Sequence, residues 1–365
     1  MSSPLLHILE QVENSNHSTE YKRLIKDYSI RLASRNLPII FDIYHLSYLI
    51  GIQPYRMINM IKDRHSLYNV YKIRKKAGGY RWIMSPIDDL KRVQYWIKLN
   101  ILDNINICDS ACAFIKGKSI RDNAQKHVGK ELILNVDLYR FFDSITEKRI
   151  YGVFKSLGYT EKLSYDLAQL VTAQPPKAYW KEIKKENRFK KKHIKSTPAI
   201  LPQGAPTSPS LSNIISIKMD EIFDKYANEC KISYSRYADD LTFSGERGSI
   251  ISLLAVKKII RQQGFTINLK KTKYLRNSGK QSVTGITVNN GLFVDKSVIN
   301  MIKQELYYCL KFGYKAHLKY KQAKGESIKS GYKEWLFGKI CFIYSIDKNR
   351  GVNFFKIYNQ INWDI

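Results

Sequence analysis

The residues best suited to chemistry in this sequence are three aspartates. Asp239 and Asp240 interrupt a strand-like run of aromatic and β-branched residues, YSRYADDLTFS, and Asp137 follows the apolar run LILNV. A β-hairpin turn would by itself explain the Asp pair, because aspartate tolerates turn geometry. If the strand ending at Asp137 lies beside this hairpin, three carboxylates converge and repel one another unless cations bind them. Oxygen ligands suit Mg²⁺, and a pair of such ions supports nucleotidyl transfer.

The expected position of Asp137 follows from the pattern of its strand. Period-two alternation along LILNVD places Asp137 opposite Val136, off the face that packs on the core. Asp143 lies at the beginning of a predicted helix, where aspartate is an ordinary N-terminal residue, so it is not a candidate ligand. Ser144 and Glu147 are predicted to form the capping box of that helix.

Composition indicates the class of partner. The 365 residues include 61 Lys and Arg against 32 Asp and Glu, a formal charge of +29, together with 25 Tyr and 15 Phe. Basic residues attract phosphates and exposed aromatic rings stack on bases, so the composition favours a nucleic acid. A merely basic soluble protein is the alternative, although +29 exceeds what solubility requires. The length predicts two or three packed subdomains.

The cysteines and the apolar segments indicate the compartment. Five cysteines occur, and their spacing matches no zinc site: Cys108, Cys112, Cys230, Cys309 and Cys341. Neither a signal peptide nor an uninterrupted apolar run of membrane length is evident. The sequence therefore predicts a reducing, cytoplasmic location and no membrane insertion of this chain.

The order of predicted elements indicates the fold class. Residues 1–65 are predicted to be helical, and residues 68–102 to form two strands around Gly78 and Gly79, followed by a helix. Strands and helices then follow without regular βαβ alternation, and residues 291–365 are mainly helical and basic. This order predicts an α+β protein.

Several segments resemble those of one enzyme family. In chain order, NVDLYRFFDSI, LPQGAPTSPSLSNI, YADD and GFTINLKKTKYL resemble the successive palm motifs of reverse transcriptases. RKKAGGYRWIMSP resembles the fingers hairpin, so the resemblance runs from about residue 68 to residue 290. NAQKHVGK and SVTGITVNNG resemble the NAxxH and VTG signatures of bacterial retron reverse transcriptases. The sequence is thus similar to a retron-type RNA-directed DNA polymerase.

The resemblance implies a right-hand polymerase with fingers, a palm of antiparallel sheet plus helices, and a helical thumb. The implied boundaries are 1–65 for an N-terminal helical region, 66–135 for the fingers, 136–290 for the palm, and 291–365 for the thumb and C-terminal RNA-binding region. Residues 174–198 are a basic insertion in the palm, where relatives often have only a few residues. Its flanking prolines predict a bounded excursion that projects from the palm.

The resemblance also implies individual site residues. The catalytic and metal-binding set, expected to hold two Mg²⁺ ions, is Asp137, Asp239 and Asp240. The nucleotide-binding set is Lys75, Arg81, Phe142, Gln203 and Lys271. In this set Lys75 and Arg81 hold the incoming triphosphate, and Gln203 contacts the sugar of the nucleotide. Arg74 and Lys76, one position away on either side, are the alternatives to Lys75. Phe142 leaves no space for a 2′-hydroxyl and so favours deoxynucleotides. Lys271 lies near the leaving pyrophosphate, with a solvated lysine as the alternative.

Two regions are candidates for RNA binding. Residues 311–339 interleave eight Lys with aromatic residues, and the candidate phosphate contacts are Lys315, Lys319 and Lys321. An amphipathic thumb helix with buried aromatic side chains is the alternative. His127, in the NAxxH segment, is a further candidate for handling RNA, against the alternative of a packed histidine. The VTG segment can equally be a strand with a glycine bulge.

A retron reverse transcriptase is the function that the resemblance implies. Such a protein binds its cognate structured noncoding RNA, primes DNA synthesis from the 2′-hydroxyl of an internal guanosine, and stays bound to the RNA-DNA product, called msDNA. It uses dNTPs and acts with a separate effector protein in defence against phage. Another bacterial reverse transcriptase, such as a group II intron relative, and a catalytically idle RNA-binding protein are the alternatives.

Overall fold

The computed structural model describes residues 3–64, 66–75, 78–186, 198–326 and 328–363. The chain forms two compact units, each assembled from separate stretches of sequence. The first unit comprises Met1–Asp109, Leu138–Glu221 and Lys257–Thr266. The second unit comprises Ser110–Asp137, Ile222–Val256 and Ile267–Ile365. The boundaries inferred for fingers, palm and thumb remain predictions, because this division into two units does not test them.

Helices and antiparallel sheets are mixed along the chain, which confirms the predicted α+β class. The helices are α1 (Ser3–Glu13), α2 (Thr19–Ser34), α3 (Ile43–Ile50), α4 (Pro54–Lys62), α5 (Asp88–Asn100), α6 (Ile120–Gln125), α7 (Glu147–Leu157), α8 (Glu161–Val171), α9 (Lys177–Glu186), α10 (Ser208–Glu229), α11 (Leu253–Gln262), α12 (Lys296–Phe312), α13 (Tyr314–Ala323), α14 (Tyr332–Ile346) and α15 (Lys348–Gln360). The strands are β1 (Tyr68–Arg74), β2 (Tyr80–Pro86), β3 (Leu132–Asp137), β4 (Ser233–Tyr237), β5 (Asp240–Gly245), β6 (Lys273–Arg276), β7 (Ser282–Val283), β8 (Ile286–Thr287) and β9 (Phe293–Val294).

In the first unit, β1 and β2 form the hairpin expected from the sequence. Tyr68 pairs with Pro86 at one end and Arg74 with Tyr80 at the other. Gly78, with a φ angle of 86°, and Gly79, with one of 76°, lie in the connecting turn. These left-handed angles are easily adopted only by glycine, so the GG pair is what permits the reversal.

In the second unit, a four-stranded antiparallel sheet carries the candidate site. Its strand order is β4-β5-β3-β6, and β7, β8 and β9 form a separate three-stranded sheet. Register along β3 and β5 runs from Leu132 opposite Gly245 to Asp137 opposite Asp240. The strand that ends at Asp137 therefore lies directly beside the YADD hairpin.

The sheet is covered on both faces, which the alternation of β3 did not predict. Ile133 is wholly buried and belongs to the apolar cluster that includes Val283, Ile286 and Leu336. Asp137 is only 5% exposed, so it is buried, which its predicted position on the face of β3 opposite Val136 did not indicate. The second cover comes from segments more than 140 residues away in sequence, and a pattern within one strand carries no information about them.

The basic insertion begins with a packed helix. Tyr179, Trp180 and Ile183 of α9 are buried in the first unit. The prediction that the insertion only projects is therefore wrong for residues 177–186, because an apolar stripe on the helix holds it against the protein. The remaining residues, 187–197, lie outside the described part of the chain. No helix among the described residues is both long enough and apolar enough to cross a membrane.

Candidate active site

The YADD segment forms a hairpin with a two-residue turn. Tyr237 pairs with Asp240, so Ala238 and Asp239 make the turn itself. Ala238 has a φ of 58°, a left-handed conformation for which glycine is usually selected in such turns. Its carbonyl accepts a hydrogen bond of 3.3 Å from Nη1 of the fully buried Arg236, two residues earlier. Buried neighbours therefore hold the turn that presents Asp239.

Asp137 is held by two side chains from the segment that precedes β6. Its Oδ1 accepts a hydrogen bond of 2.8 Å from Nδ2 of Asn268. Its Oδ2 accepts one of 2.7 Å from Nζ of Lys271. The backbone N–H of Asn268 also donates to the Asp137 carbonyl, at 2.8 Å. The segment NLKK thus fixes both the backbone and the carboxylate of Asp137.

The three carboxylates share one electrostatic environment. Partial loss of hydration, together with the negative charges of Asp239 and Asp137, raises the pKa of Asp240 to about 6. The positive charge of Lys271 opposes this shift. Partial burial lowers the pKa of Lys271, but its hydrogen bond and charge interaction with Asp137 outweigh burial and raise it overall. The structure therefore brings Asp137, Asp239, Asp240 and Lys271 together in the second unit.

The donor set suits a hard divalent cation. Carboxylate oxygens are the ligands that Mg²⁺ prefers, and mutual repulsion among carboxylates is what a cation relieves. Within the described residues, no three His, Cys, Asp or Glu side chains are already arranged as a metal site. Both oxygens of Asp137 instead contact Asn268 and Lys271. A cation at the Asp137 carboxylate would therefore share these two oxygens with Asn268 and Lys271.

Lys75, Arg81 and Gln203, three of the predicted nucleotide-binding residues, belong to the first unit. Lys75 follows β1, Arg81 lies on β2, and both side chains are exposed. The Gln203 carbonyl accepts a hydrogen bond of 2.8 Å from the backbone N–H of Met84. Gly204 has a φ of 116°, and a Cβ built there would lie 2.8 Å from Cγ2 of Ile83. The LPQG segment therefore needs glycine where it contacts the β1–β2 hairpin.

Phe142 begins a short 3₁₀ helix, Phe142–Ser144. Its side chain is half-buried, and its ring meets that of Phe141 edge-on, with centroids 5.5 Å apart. Phe141 in turn packs against Phe265, at 5.3 Å. The neighbouring ring thus supports Phe142 while part of Phe142 remains accessible, as its predicted role as a gate requires.

Hydrogen bonds link the NAxxH and VTG segments to each other and to strands β4 and β5 of the YADD hairpin. His127 is wholly buried, and its two ring nitrogens lie 2.6 Å from Oγ of Ser244 and 2.7 Å from Oγ of Ser235. Ser235 also donates to Asn123, at 2.7 Å. Asn123 Nδ2 lies 3.5 Å from Oγ1 of Thr284, in the VTG segment. The expectation that His127 contacts RNA is therefore wrong, because both of its polar atoms are used inside the protein.

The burial of His127 predicts a loss of stability in acid. Burial, and then the charges of Lys126 and Lys130, lower the pKa of His127 to about 3. The unfolded chain takes up this proton near pH 6.5, so stability falls as the pH drops below that value. We expect His127 to account for about 2 kcal/mol of the loss in unfolding free energy between pH 7 and pH 5.

Urea unfolding of His127→Gln at both pH values checks this expectation. The variant starts less stable than the wild type because hydrogen bonds to two serines change, but its dependence on pH is shallower. His7 is exposed and provides the control, since His7→Gln is expected to keep the wild-type dependence. An identical pH dependence in His127→Gln and the wild type would contradict a neutral buried histidine.

The three candidate lysines of the C-terminal region do not share one environment. Lys315 and Lys319 are exposed on α13. Lys321 instead forms ion pairs with the buried Glu305 and with Glu326, and its side chain is only 17% exposed. Glu305 also accepts hydrogen bonds from His317 and Tyr332. The proposed role of Lys321 in binding phosphate is corrected, because its charge already balances a buried carboxylate.

Two further residues of the site, Asn268 and Arg236, were not predicted from the sequence. Asn268 stands three positions before Lys271 and binds the same carboxylate. Arg236 is buried immediately before the YADD turn. For Arg236, the sequence signal was a lone arginine inside the strand-like run YSRY, because a buried charge requires a specific partner.

Comparison with known proteins agrees with this geometry. A family model described as reverse transcriptase (RNA-dependent DNA polymerase) matches residues 73–289. Retron Mx162 reverse transcriptase of Myxococcus xanthus is 34% identical over 62% of this chain and 48% of that protein. Retron Mx65 reverse transcriptase of the same organism is 32% identical over 67% of this chain and 56% of that protein. Retron Ec86 reverse transcriptase of Escherichia coli is 32% identical over 72% of this chain and 75% of that protein.

The antiparallel sheet brings three carboxylates and a lysine together at one end of β3 and β5, and this arrangement agrees with the reverse transcriptase fold. The family match covers more than half of the chain. The chain belongs to the reverse transcriptase family and, within it, to the bacterial retron type. It spans about half the length of the two Myxococcus relatives.

Proposed function

We propose that this chain is an RNA-directed DNA polymerase that binds a cognate structured RNA and copies part of it into DNA. The observation that carries the proposal is the register of the palm sheet. Asp137 lies opposite Asp240, beside the turn that holds Asp239, inside the segment that matches the family model. Three acidic groups kept this close lower folded stability, and their use in catalysis explains their presence.

The aspartates have distinct proposed roles. Asp137 and Asp239 would hold two Mg²⁺ ions, and Asp240 would assist them. When bound, the ions would supply a lowered pKa for the attacking hydroxyl and charge stabilisation for the leaving pyrophosphate. Lys271 neutralises Asp137 in the structure described here, and it is close enough to the same edge to contact a triphosphate. Its exposed position, with 63% of the side chain accessible, leaves it free to move between these partners.

The remaining residues bind and select the nucleotide. Lys75 and Arg81, exposed on the fingers hairpin, contact the triphosphate. The Lys75 ammonium acts as a point charge, and the planar Arg81 guanidinium can donate two parallel hydrogen bonds. Gln203 touches the sugar, and Phe142 closes the space beside its 2′ position. These assignments combine the resemblance with the exposure and packing observed in the first unit.

RNA binding is proposed for the exposed side of the C-terminal helices. Lys315 and Lys319 are exposed on α13, and Phe312 and Tyr320 are 56% and 58% exposed. Lysines attract phosphates, and accessible rings stack on unpaired bases. We further propose that synthesis starts from the 2′-hydroxyl of an internal guanosine, that the msDNA product stays bound, and that a separate effector protein acts with the complex against phage.

Primer extension tests the polymerase function. The purified chain, given an RNA template, an annealed primer, dNTPs and Mg²⁺, is expected to make DNA of the length that the template dictates. Chelation with EDTA is expected to stop synthesis, and added Mg²⁺ to restore it, because the carboxylates require a cation. Synthesis that continues at full rate in EDTA would exclude the proposed metal-dependent site.

A further inference from the structure

Helix α9, the described half of the basic insertion, packs against the fingers hairpin. Tyr179, on the buried side of α9, meets the ring of Trp82 on β2 edge-on, with centroids 5.8 Å apart. Trp180 packs against Tyr179 at 5.0 Å and is also buried. An insertion that served only to carry positive charge would not need to bury two aromatic rings, each of which contributes a large apolar area.

Glu182 is the polar centre of this contact. Its Oε2 accepts a hydrogen bond of 2.8 Å from Nζ of Lys72 on β1 and one of 3.0 Å from Nε1 of Trp82 on β2. The Lys72 ammonium also lies 4.3 Å from the centre of the Trp82 ring. A single carboxylate thus joins α9 to both strands of the hairpin, in a charge-assisted arrangement.

The same helix borders the segment that carries the proposed gate. Tyr179 lies beside Asp143, the residue after Phe142, and interacts electrostatically with it. Asp143 accepts a hydrogen bond of 2.8 Å from Nη1 of Arg140 and also experiences the charge of Lys75. Through Tyr179, helix α9 therefore contacts both the hairpin that carries Lys75 and Arg81 and the segment that carries Phe142.

We propose that α9 braces the fingers hairpin, so that Glu182 is a positioning residue for the incoming nucleotide. The proposal rests on the polymerase function proposed above. Glu182 acts through Lys72 and Trp82, and these set where the exposed Lys75 and Arg81 stand. Its loss lets the hairpin move, which weakens triphosphate binding more than it slows the chemical step, because the metal-binding carboxylates are untouched.

Single-nucleotide incorporation kinetics test the brace. Glu182→Gln is expected to raise KM for dNTP about fivefold while kcat changes less than about twofold, the size of effect that a partly exposed charge pair supports. Lys72→Met is expected to do the same, and the double variant to be no worse than either single one. Glu161→Gln, which breaks the exposed pair with Lys155 in the same unit, is the matched control and is expected to match the wild type.

A second measurement does not depend on activity. Limited trypsin digestion is expected to cleave Glu182→Gln after the basic residues between Arg74 and Arg81 several times faster than the wild type. The reason is that α9 no longer restrains the hairpin. Unchanged KM and unchanged cleavage in Glu182→Gln would overturn the proposal. A wild type that makes no DNA would instead overturn the polymerase function, and the digestion would still decide whether α9 restrains the hairpin.

Discussion

Replacing both Asp239 and Asp240 by asparagine is expected to reduce RNA-templated DNA synthesis by at least about 1,000-fold. Asparagine keeps the shape of the turn but removes two negative charges from the edge where Asp137 already stands. RNA affinity is expected to stay within about twofold, because phosphate binding depends on basic residues elsewhere. Primer extension and an RNA-binding titration on the same preparation measure the two effects separately.

The control for this variant must change the charge equally. Glu229 and Glu246 are exposed in the second unit, and their joint replacement by glutamine removes two negative charges outside the site. This double variant is expected to keep wild-type synthesis. Substantial primer extension by the asparagine variant would contradict the assignment of the three aspartates as the catalytic centre.

Replacing Phe142 by alanine is expected to relax the choice between deoxynucleotides and ribonucleotides. Its half-buried ring is supported by Phe141, so truncation opens space without removing the support. Steric overlap of one hydroxyl costs about 1–3 kcal/mol, which corresponds to a gain of roughly 5- to 160-fold in relative rNTP incorporation. Incorporation of dNTP is expected to continue at a measurable rate.

The ratio of kcat/KM for dNTP to that for rNTP is the quantity to measure. Phe293→Ala, which truncates an aromatic side chain that is 52% exposed in the second unit, is expected to leave the ratio unchanged. If Phe142→Ala is active and its ratio equals that of the wild type, Phe142 is not the gate.

Features encoded in short stretches of sequence were predicted well. The GG pair specifies the turn between β1 and β2, because the required φ angles are positive. The YADD hairpin follows from apolar alternation around a polar turn, and the structure confirms it with Tyr237 opposite Asp240. Both depend on residues within a few positions of one another, where backbone sterics dominate.

Features that depend on distant packing were predicted poorly. The pairing of Asp137 with Lys271 joins residues 134 positions apart, and nothing within β3 indicates it. The capping box predicted for Ser144 and Glu147 is wrong, since Ser144 donates to the Phe141 carbonyl and Thr146 is the N-cap. Residues 142–144 form a 3₁₀ turn, so α7 begins only at Glu147.

In the basic insertion, the prolines and lysines obscured the apolar spacing of a packed helix. Two prolines and many lysines suggested a solvated excursion, yet Tyr179, Trp180 and Ile183 fall on one side of a helix. The spacing of the three apolar residues was visible in the sequence, whereas their partner Trp82 lies about 100 residues earlier. A helix face can be predicted locally, but the surface that covers it cannot.

The nucleic acid that copurifies with the full chain from cells carrying its native locus tests the central claim most directly. Extracted material is expected to contain both RNA and DNA, to lose separate parts to RNase and DNase, and to release the DNA when a debranching enzyme cuts the 2′ linkage. The Asp239→Asn, Asp240→Asn variant is expected to yield the RNA alone. RNA without any DNA from the wild type, or equal DNA from the variant, would contradict a polymerase that copies the RNA it binds.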